Sequence, residues 1–420
     1  MELVAAYTSL AVTLGLVVAR PRIPGRVRPG HRIGPAPAAL AGVLIMVFGH
    51  VVSLKDATGA ALLLARPLLG IVALMVMAAA AQRTGVVVLL AERVFARAAQ
   101  TATRLFLGVF ALSFLTAAVL NNDSAILLLT PAVVLLVRRR WPGEPRLVVA
   151  FAFAVFLAAG VAPLVLSNPM NMIVASYAGI DFNAYARTMI PVALVGSAVA
   201  AGMVVLLFRR TLASAPVVRV DESRKLSLRP AQKHLLAVVG AVLLACPIVA
   251  YFGGPVGVVA GVGAIVAVAI ASRDARLSPV TVLREGIAWD ILLFLALVNI
   301  LGAGLRNVGL VTSLASLYSH TGLAGIGVGS AVGSAILNNH PMAVLDMLAL
   351  REVPGATSRD VLAALVGGDI GPRLLPMGSL AGLLWTDLLR RQGVEVPLGR
   401  FVLIGLTVLV PTLAISLLLL

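Results

Sequence analysis

The chain has 420 residues, of which 60% are hydrophobic and 12% charged, and its mean hydropathy is +1.05. Soluble domains carry about 25% charged residues, so this composition excludes a soluble globule and points to a polytopic membrane protein. The net charge of +16 is no sign of nucleic-acid binding, because the arginines gather between apolar segments, where the positive-inside bias accounts for them.

Residues 3–19 are apolar, lack a basic stretch before them and run into Arg20, Arg22 and Arg26. They read as a first membrane helix, not a cleaved signal. Five arginines between Arg20 and Arg32 place the next loop in the cytoplasm. Further spans are expected at 33–52 and 57–82, followed by an amphipathic stretch, 83–104, lying in the cytoplasmic interface. Only about 33 residues separate Arg104 from Arg138-Arg139-Arg140, and both flanks are basic. Two full spans of about 20 residues do not fit there, so 105–137 is expected to be a re-entrant helical hairpin with Asn121-Asn122-Asp123 at its tip. Residues 147–180 are too long for one straight helix and are interrupted by Pro163 and by Ser167-Asn168-Pro169. They read as a broken helix, and 186–208 returns inward.

A polar linker, 209–233, separates the halves, and the same plan recurs after it. Spans are expected at 234–252, 256–272 and 288–305, then an amphipathic stretch at 306–320. A second hairpin, 322–350, carries Asn338-Asn339-His340 at its tip. The broken helix 358–389 is interrupted at Gly371-Pro372 and Pro376-Met377-Gly378-Ser379, and 401–420 crosses last. The expected architecture is therefore an all-α polytopic membrane protein of about ten transmembrane helices plus two re-entrant hairpins. Each half, 1–208 and 234–420, crosses five times, so the halves are expected to be inverted-topology repeats with both termini outside. In this arrangement 26 of the 33 Lys and Arg fall on the cytoplasmic side.

The two Asn-Asn pairs lie 217 residues apart. Unpaired amides in an apolar medium cost about 1–3 kcal/mol or more each, and inverted repeats with discontinuous helices hold a solute near the bilayer midplane. Asn121, Asn122, Ser167, Asn168, Asn338, Asn339, Gly378 and Ser379 are accordingly the expected substrate-binding residues. Ionisable groups at membrane depth point to ion pathways. Asp123 is the first candidate for proton coupling and Asp369 the second, with His340 at the position mirroring Asp123. Asp369 and Arg373, four residues apart, form an internal pair unless the helix breaks between them. Asp346 also lies at membrane depth, whereas Asp290, Asp387 and Arg66 fall near helix ends. No P-loop, HExxH or CxxC motif occurs, so no enzyme activity, cofactor or metal site is expected. Cys246, the one cysteine, excludes an intrachain disulfide and any thiolate cluster made within one chain.

The run from Gly368 to Trp385, GDIGPRLLPMGSLAGLLW, resembles the signature of the ArsB-type arsenite and antimonite efflux permeases of the ion transporter superfamily. The resemblance extends to Leu120-Asn121-Asn122-Asp123, Leu129-Thr130-Pro131, Ser167-Asn168 followed by Asn171, the stretch from Gly304 to Leu310, and Asn338-Asn339 followed by Pro341. It implies proton-driven extrusion of arsenite or antimonite across a bacterial-type inner membrane, in some members aided by a cytosolic ATPase subunit. At superfamily level it implies scaffold and transport subdomains in an elevator-like motion. Arsenite at neutral pH is an uncharged trihydroxide, which amides, hydroxyls and helix termini can hydrogen-bond. The alternative within transport is a related antiporter for Na+ or another small inorganic solute.

Overall fold

The computed structural model describes residues 1–19, 34–97, 101–216, 227–275 and 278–420. The arginine-rich loop 20–32 and part of the linker, 217–226, lie outside the described residues. All regular structure among the described residues is helical. Among the described residues eight helices are long and apolar enough to cross a membrane. Six of them, within 67–84, 182–207, 230–251, 256–274, 289–307 and 398–418, coincide with expected crossings. The shorter apolar helices Glu2–Ala19 and Pro35–Phe48 and two broken helices complete the ten.

The remaining two long helices belong to hairpins. In the first hairpin, Ala102–Leu120 and Asn122–Arg140 are joined by Asn121 alone. In the second, Leu310–Leu337 and Asn339–Glu352 are joined by Asn338 alone. The chain reverses at a single residue because each joint has a positive φ, 106° at Asn121 and 80° at Asn338. With ψ at 163° and 145°, both joints lie outside the left-handed helical region and near one that is almost confined to glycine, a strained conformation that the surrounding structure must hold in place. Each amide oxygen caps the following helix: Asn121 Oδ1 accepts from Ser124 N at 2.8 Å, and Asn338 Oδ1 accepts from His340 N at 3.3 Å. The helix Leu310–Leu337 is itself bent at Gly322, φ 61°, which separates the amphipathic stretch from the hairpin arm.

The broken helices follow from their prolines. The first runs Pro145–Ala158, unwinds through Gly160 and Pro163, turns at Val165–Ser167 and resumes as Pro169–Ala178. Proline lacks an N–H and disfavours helix in the residue before it. The second runs Ser358–Ile370, passes through tight turns at Gly371–Arg373 and Pro376–Gly378, and resumes as Leu380–Arg391. Residues 147–158 are buried on every face, as a helix enclosed by others must be.

Three local features differ from the sequence expectations. The span 57–82 is divided at Leu64 into Leu54–Leu63 and Ala65–Thr84, because Pro67 has no N–H to offer the Leu63 carbonyl four residues back. The stretch 83–104 is not one interfacial helix: Gly85, φ 68°, ends the preceding span, Val86–Arg97 follows, and Arg104 already belongs to the hairpin arm. A helix unforeseen in the sequence, Pro279–Gly286, is capped by Ser278; the Ser-Pro pair at its start is a helix-initiation signal. Its Glu285 pairs with Arg83.

Two contacts hold the broken helices in place. Trp385 of the second packs on Phe153 and Phe156 of the first, with ring centroids 5.0 and 5.1 Å apart. Its indole N–H donates to the Ala152 carbonyl at 3.1 Å. A buried aromatic pair adds about 0.5–1.5 kcal/mol beyond its area. On the other side, a Cβ at Gly367 would strike the Gly327 carbonyl, and one at Gly371 the Ala331 carbonyl. Small residues thus bring the second broken helix into backbone contact with the second hairpin, the usual basis of close helix packing in a membrane.

Candidate functional site

The hairpin tips and both helix breaks converge on one cavity of about 30 Å³. Its wall includes Asn122 and Asp123 from the first tip, and Asn339 and His340 from the second. Asn168, Gly160 and Ala159 come from the first break, and Asp369, Pro372, Arg373 and Ser379 from the second. The volume exceeds the roughly 10–15 Å³ that one water needs and falls far short of the about 300 Å³ of pockets for drug-sized molecules. Only a solute of a few heavy atoms fits.

Four helix N-termini meet here. Asn122 and Asn339 begin the helices that leave the tips, Asn168 caps Pro169–Ala178 through Met170 N at 3.1 Å, and Ser379 caps Leu380–Arg391 through Gly382 N at 2.9 Å. The first N–H groups of a helix lack intrahelical partners, and the aligned peptide dipoles place a partial positive charge there. Four such ends around one small space make a donor-rich site suited to oxygen-rich solutes.

Seven of the eleven expected site residues line the cavity: Asn122, Asp123, Asn168, Asn339, His340, Asp369 and Ser379. The other four sit behind it. Asn121 and Asn338 are the positive-φ joints, and Asn338 Nδ2 also donates to the Met377 carbonyl at 3.1 Å, tying the second tip to the second break. Ser167 Oγ donates to the Ala118 carbonyl at 2.7 Å and fastens the first break to the first hairpin. Gly378 is required for close approach, since a Cβ there would lie 2.8 Å from Pro372 Cα.

Asp369 has a well-defined set of partners. It accepts from Ala162 N at 3.1 Å, Asn168 Nδ2 at 2.9 Å and Asn171 Nδ2 at 3.2 Å. All three donors are N–H groups of the first break, so the carboxylate of one broken helix satisfies the unwound backbone and amides of the other. Tyr185 extends this network: its hydroxyl accepts from Asn171 Nδ2 at 2.6 Å and donates to the Ala162 carbonyl at 3.1 Å. Arg373 lies one turn further on but does not pair with Asp369, because the helix ends at Ile370. Its Nη2 donates to the Leu157 carbonyl at 3.0 Å, near the C-terminus of Pro145–Ala158, where cations are favoured. Gly160 leaves room for this guanidinium.

Several polar atoms at the site are buried without a protein partner: Asn339 Oδ1, His340 Nε2, and Arg373 Nε and Nη1. The His340 Nδ1 lies 3.4 Å from Asn338 Oδ1; with the proton on Nδ1, Nε2 is an acceptor. The side chain of Asp123, half-buried at the first tip, forms no hydrogen bond among the described residues. A buried polar atom left unpaired costs about 1–3 kcal/mol, so these groups are poised for a ligand. Arg373 and Asn171 were not among the expected binding residues. The signals were present in the sequence: a buried arginine beside a Gly-Pro break, and an asparagine three residues after Asn168.

Two broken helices and two hairpin tips around a small polar cavity, in an all-helical multi-pass chain, define a membrane transporter for a small solute. The model of the arsenical pump membrane protein family matches residues 11–420, and the chain belongs to that family. It is 30% identical over 333 residues to an arsenical pump membrane protein of Yersinia enterocolitica, spanning 74% of this chain and 76% of the relative. It is 29% identical, over the same shares, to one of Escherichia coli K12. Among solved structures, the YdaH transporter of Alcanivorax borkumensis, described as having an unusual topology, superposes with a TM-score of 0.60 at 16% identity. That match covers 100% of this chain and 96% of the other.

Proposed function

We propose that this protein exports trivalent arsenite and antimonite as neutral trihydroxides in exchange for protons. The observation that carries the reading is the small cavity where four helix N-termini meet unpartnered Asn339 Oδ1, His340 Nε2 and Arg373 nitrogens. A trihydroxide both donates and accepts. Its oxygens accept from the helix ends and Arg373, while its hydroxyls donate to Asn339 Oδ1, His340 Nε2 and the Asp123 carboxylate. The names of the relatives from Yersinia and Escherichia support the same substrate class. The amides, not thiols, recognise the solute, since Cys246 is the one cysteine.

In this reading residues 1–208 and 234–420 are inverted repeats joined by the cytoplasmic linker 209–233, and the tips enter from opposite membrane faces. Both repeats contain a hairpin, a broken helix and a long closing span in that order, which supports the repeat assignment. Asp123 faces the solute and exchanges a proton as the solute arrives or leaves. Asp369 holds the first break in shape beneath it. The linker is the surface on which a cytosolic ATPase subunit would act.

Everted membrane vesicles given an inward-acid proton gradient should accumulate arsenite and antimonite severalfold above vesicles lacking the protein. Uptake equal to that of empty vesicles would overturn the reading, and uptake of sodium in place of arsenite would favour the related-antiporter alternative.

A further inference from the structure

Away from the cavity, the second hairpin encloses an acidic side chain that the transport reading leaves unused. Asp346 is 2% exposed, and its two oxygen-bearing neighbours, Ser330 and Tyr318, are 0% and 1% exposed. Tyr318 Oη donates to Asp346 Oδ1 at 2.5 Å. Ser330 Oγ lies 2.6 Å from Asp346 Oδ2 and 2.7 Å from the Ala364 carbonyl oxygen of the second broken helix.

The hydrogen count decides the state of this group. Two oxygens approach to 2.6–2.7 Å only with a hydrogen between them. Ser330 has a single hydroxyl hydrogen and can fill one of its two contacts. The Ala364 carbonyl has none to give, so the serine hydrogen serves that contact. The remaining hydrogen, between Oγ and Oδ2, then comes from Asp346 itself. The chain Asp346 Oδ2–H to Ser330 Oγ–H to Ala364 O satisfies every oxygen, with Oδ1 accepting from Tyr318. A carboxylate in the same place leaves one of the two short contacts without a hydrogen.

Among the described residues no neighbouring charge replaces that proton. Among the described elements packed against Asn339–Glu352, Trp289–Asn307 carries Asp290, which accepts from Ala36 N, and Arg306, which pairs with Glu352. Tyr177 on Pro169–Ala178 donates to Asn299 Oδ1, and Arg351 donates to the Tyr177 carbonyl. On Ser358–Ile370, Asp360 caps Thr357, Asp369 is bound to the first break, and Arg359 is exposed. On Leu310–Leu337, His320 is exposed, and on the helix of Asp346 itself His340 faces the cavity. Tyr318 is thus the one titratable side chain among these that bonds to Asp346.

We propose that Asp346 is a proton-binding site of this transporter, separate from the solute cavity, loaded in the present conformation and emptied when the second hairpin leaves Tyr318. Tyr318 belongs to the segment before Gly322, and Ser330 and Asp346 to the hairpin after it. The Gly322 joint, φ 61°, is where the hairpin turns relative to Tyr318 and admits water to the acid. The inference rests on the proton-exchange reading, with Asp346 carrying a proton that the tip residues do not.

The test is built on Asp346→Asn, whose amide accepts from Tyr318 and donates to Ser330, so that the packing is kept while no proton can be released. In everted vesicles with an imposed gradient, the severalfold stimulation of arsenite uptake expected of the wild type should fall to about onefold. Stimulation equal to wild type overturns the proposal. Infrared spectra of the wild type in lipid bilayers supply a second arm: a protonated-carboxyl C=O band is expected that Asp346→Asn lacks. If that variant fails to insert, Ser330→Ala keeps the acid but removes its acceptor and should move the band to higher frequency. A wild-type spectrum without the band, or one identical to that of Ser330→Ala, overturns the proposal. A wild type that shows the band but no gradient stimulation sinks the exchange reading instead, and the coupling role of Asp346 with it.

Discussion

The two hairpins share a backbone design and differ in chemistry. Each reverses at one positive-φ asparagine, each caps the next helix with that amide, and each presents a second asparagine to the cavity. Two residues past the joint the first tip has Asp123 and the second His340; eight residues past it the first has Leu129 and the second Asp346. What repeats is what the backbone needs in order to turn inside an apolar medium. What diverges is ionisable, and under the proposed proton exchange that asymmetry has a use.

The comparison can be broken most sharply at Asp369, which serves the first break from the second. Asp369→Ala leaves Ala162 N, Asn168 Nδ2 and Asn171 Nδ2 without their acceptor. Buried donors left unpaired cost about 1–3 kcal/mol each, so the variant should lose most of its folded, inserted yield, read by size-exclusion chromatography in detergent. A yield like that of the wild type would show that the breaks do not depend on this carboxylate.

Next are the asparagines that line the cavity. Asn122→Ala and Asn339→Ala should each reduce vesicle uptake of arsenite by about 10- to 100-fold, the equivalent of about 1.5–3 kcal/mol, while inserting normally. Full activity in both would reduce the amides to packing contacts. The tips should then separate: Asp123→Asn is expected to flatten the pH profile of uptake, whereas His340→Gln, which keeps an acceptor near the place of Nε2, should weaken solute affinity about tenfold and leave the profile's shape intact. The same change of profile in both variants would mean that the tips are equivalent after all.

The smallest effect tests the joints themselves. Asn121→Gly removes a cap worth about 1 kcal/mol but relieves the strain of a positive φ, a region that costs a non-glycine residue about 1–3 kcal/mol. Stability in detergent should therefore rise by up to about 2 kcal/mol, and Asn338→Gly should gain less because Nδ2 also holds the Met377 carbonyl. Equal melting temperatures for the two would remove that distinction.

Much of the architecture was legible because it depends on local chemistry. Pro163, Asn168-Pro169, Gly371-Pro372 and Pro376 interrupt helices whatever surrounds them, and the basic flanks of 105–137 leave too little chain for two spans. The division at Leu64 was legible too, since Pro67 carries its signal, but the long apolar run masked it. The roles within each Asn-Asn pair were not legible. Which amide becomes the joint and which the cavity wall depends on one φ angle, and the sequence writes both residues alike.

Composition, proline placement and charge flanks thus determined by themselves that this is a multi-pass helical membrane protein with two hairpins and two broken helices. Each of those signals acts within a few residues of chain. Only the tertiary structure decided that Asp369 serves the opposite break, that Arg373 reaches the Leu157 carbonyl in place of Asp369, and that Asp346 shares a hydrogen chain with Ser330 and Ala364. Those partners lie up to 216 residues apart. In an interior without water each buried polar atom must find its partner in space, and sequence separation places no limit on where that partner comes from.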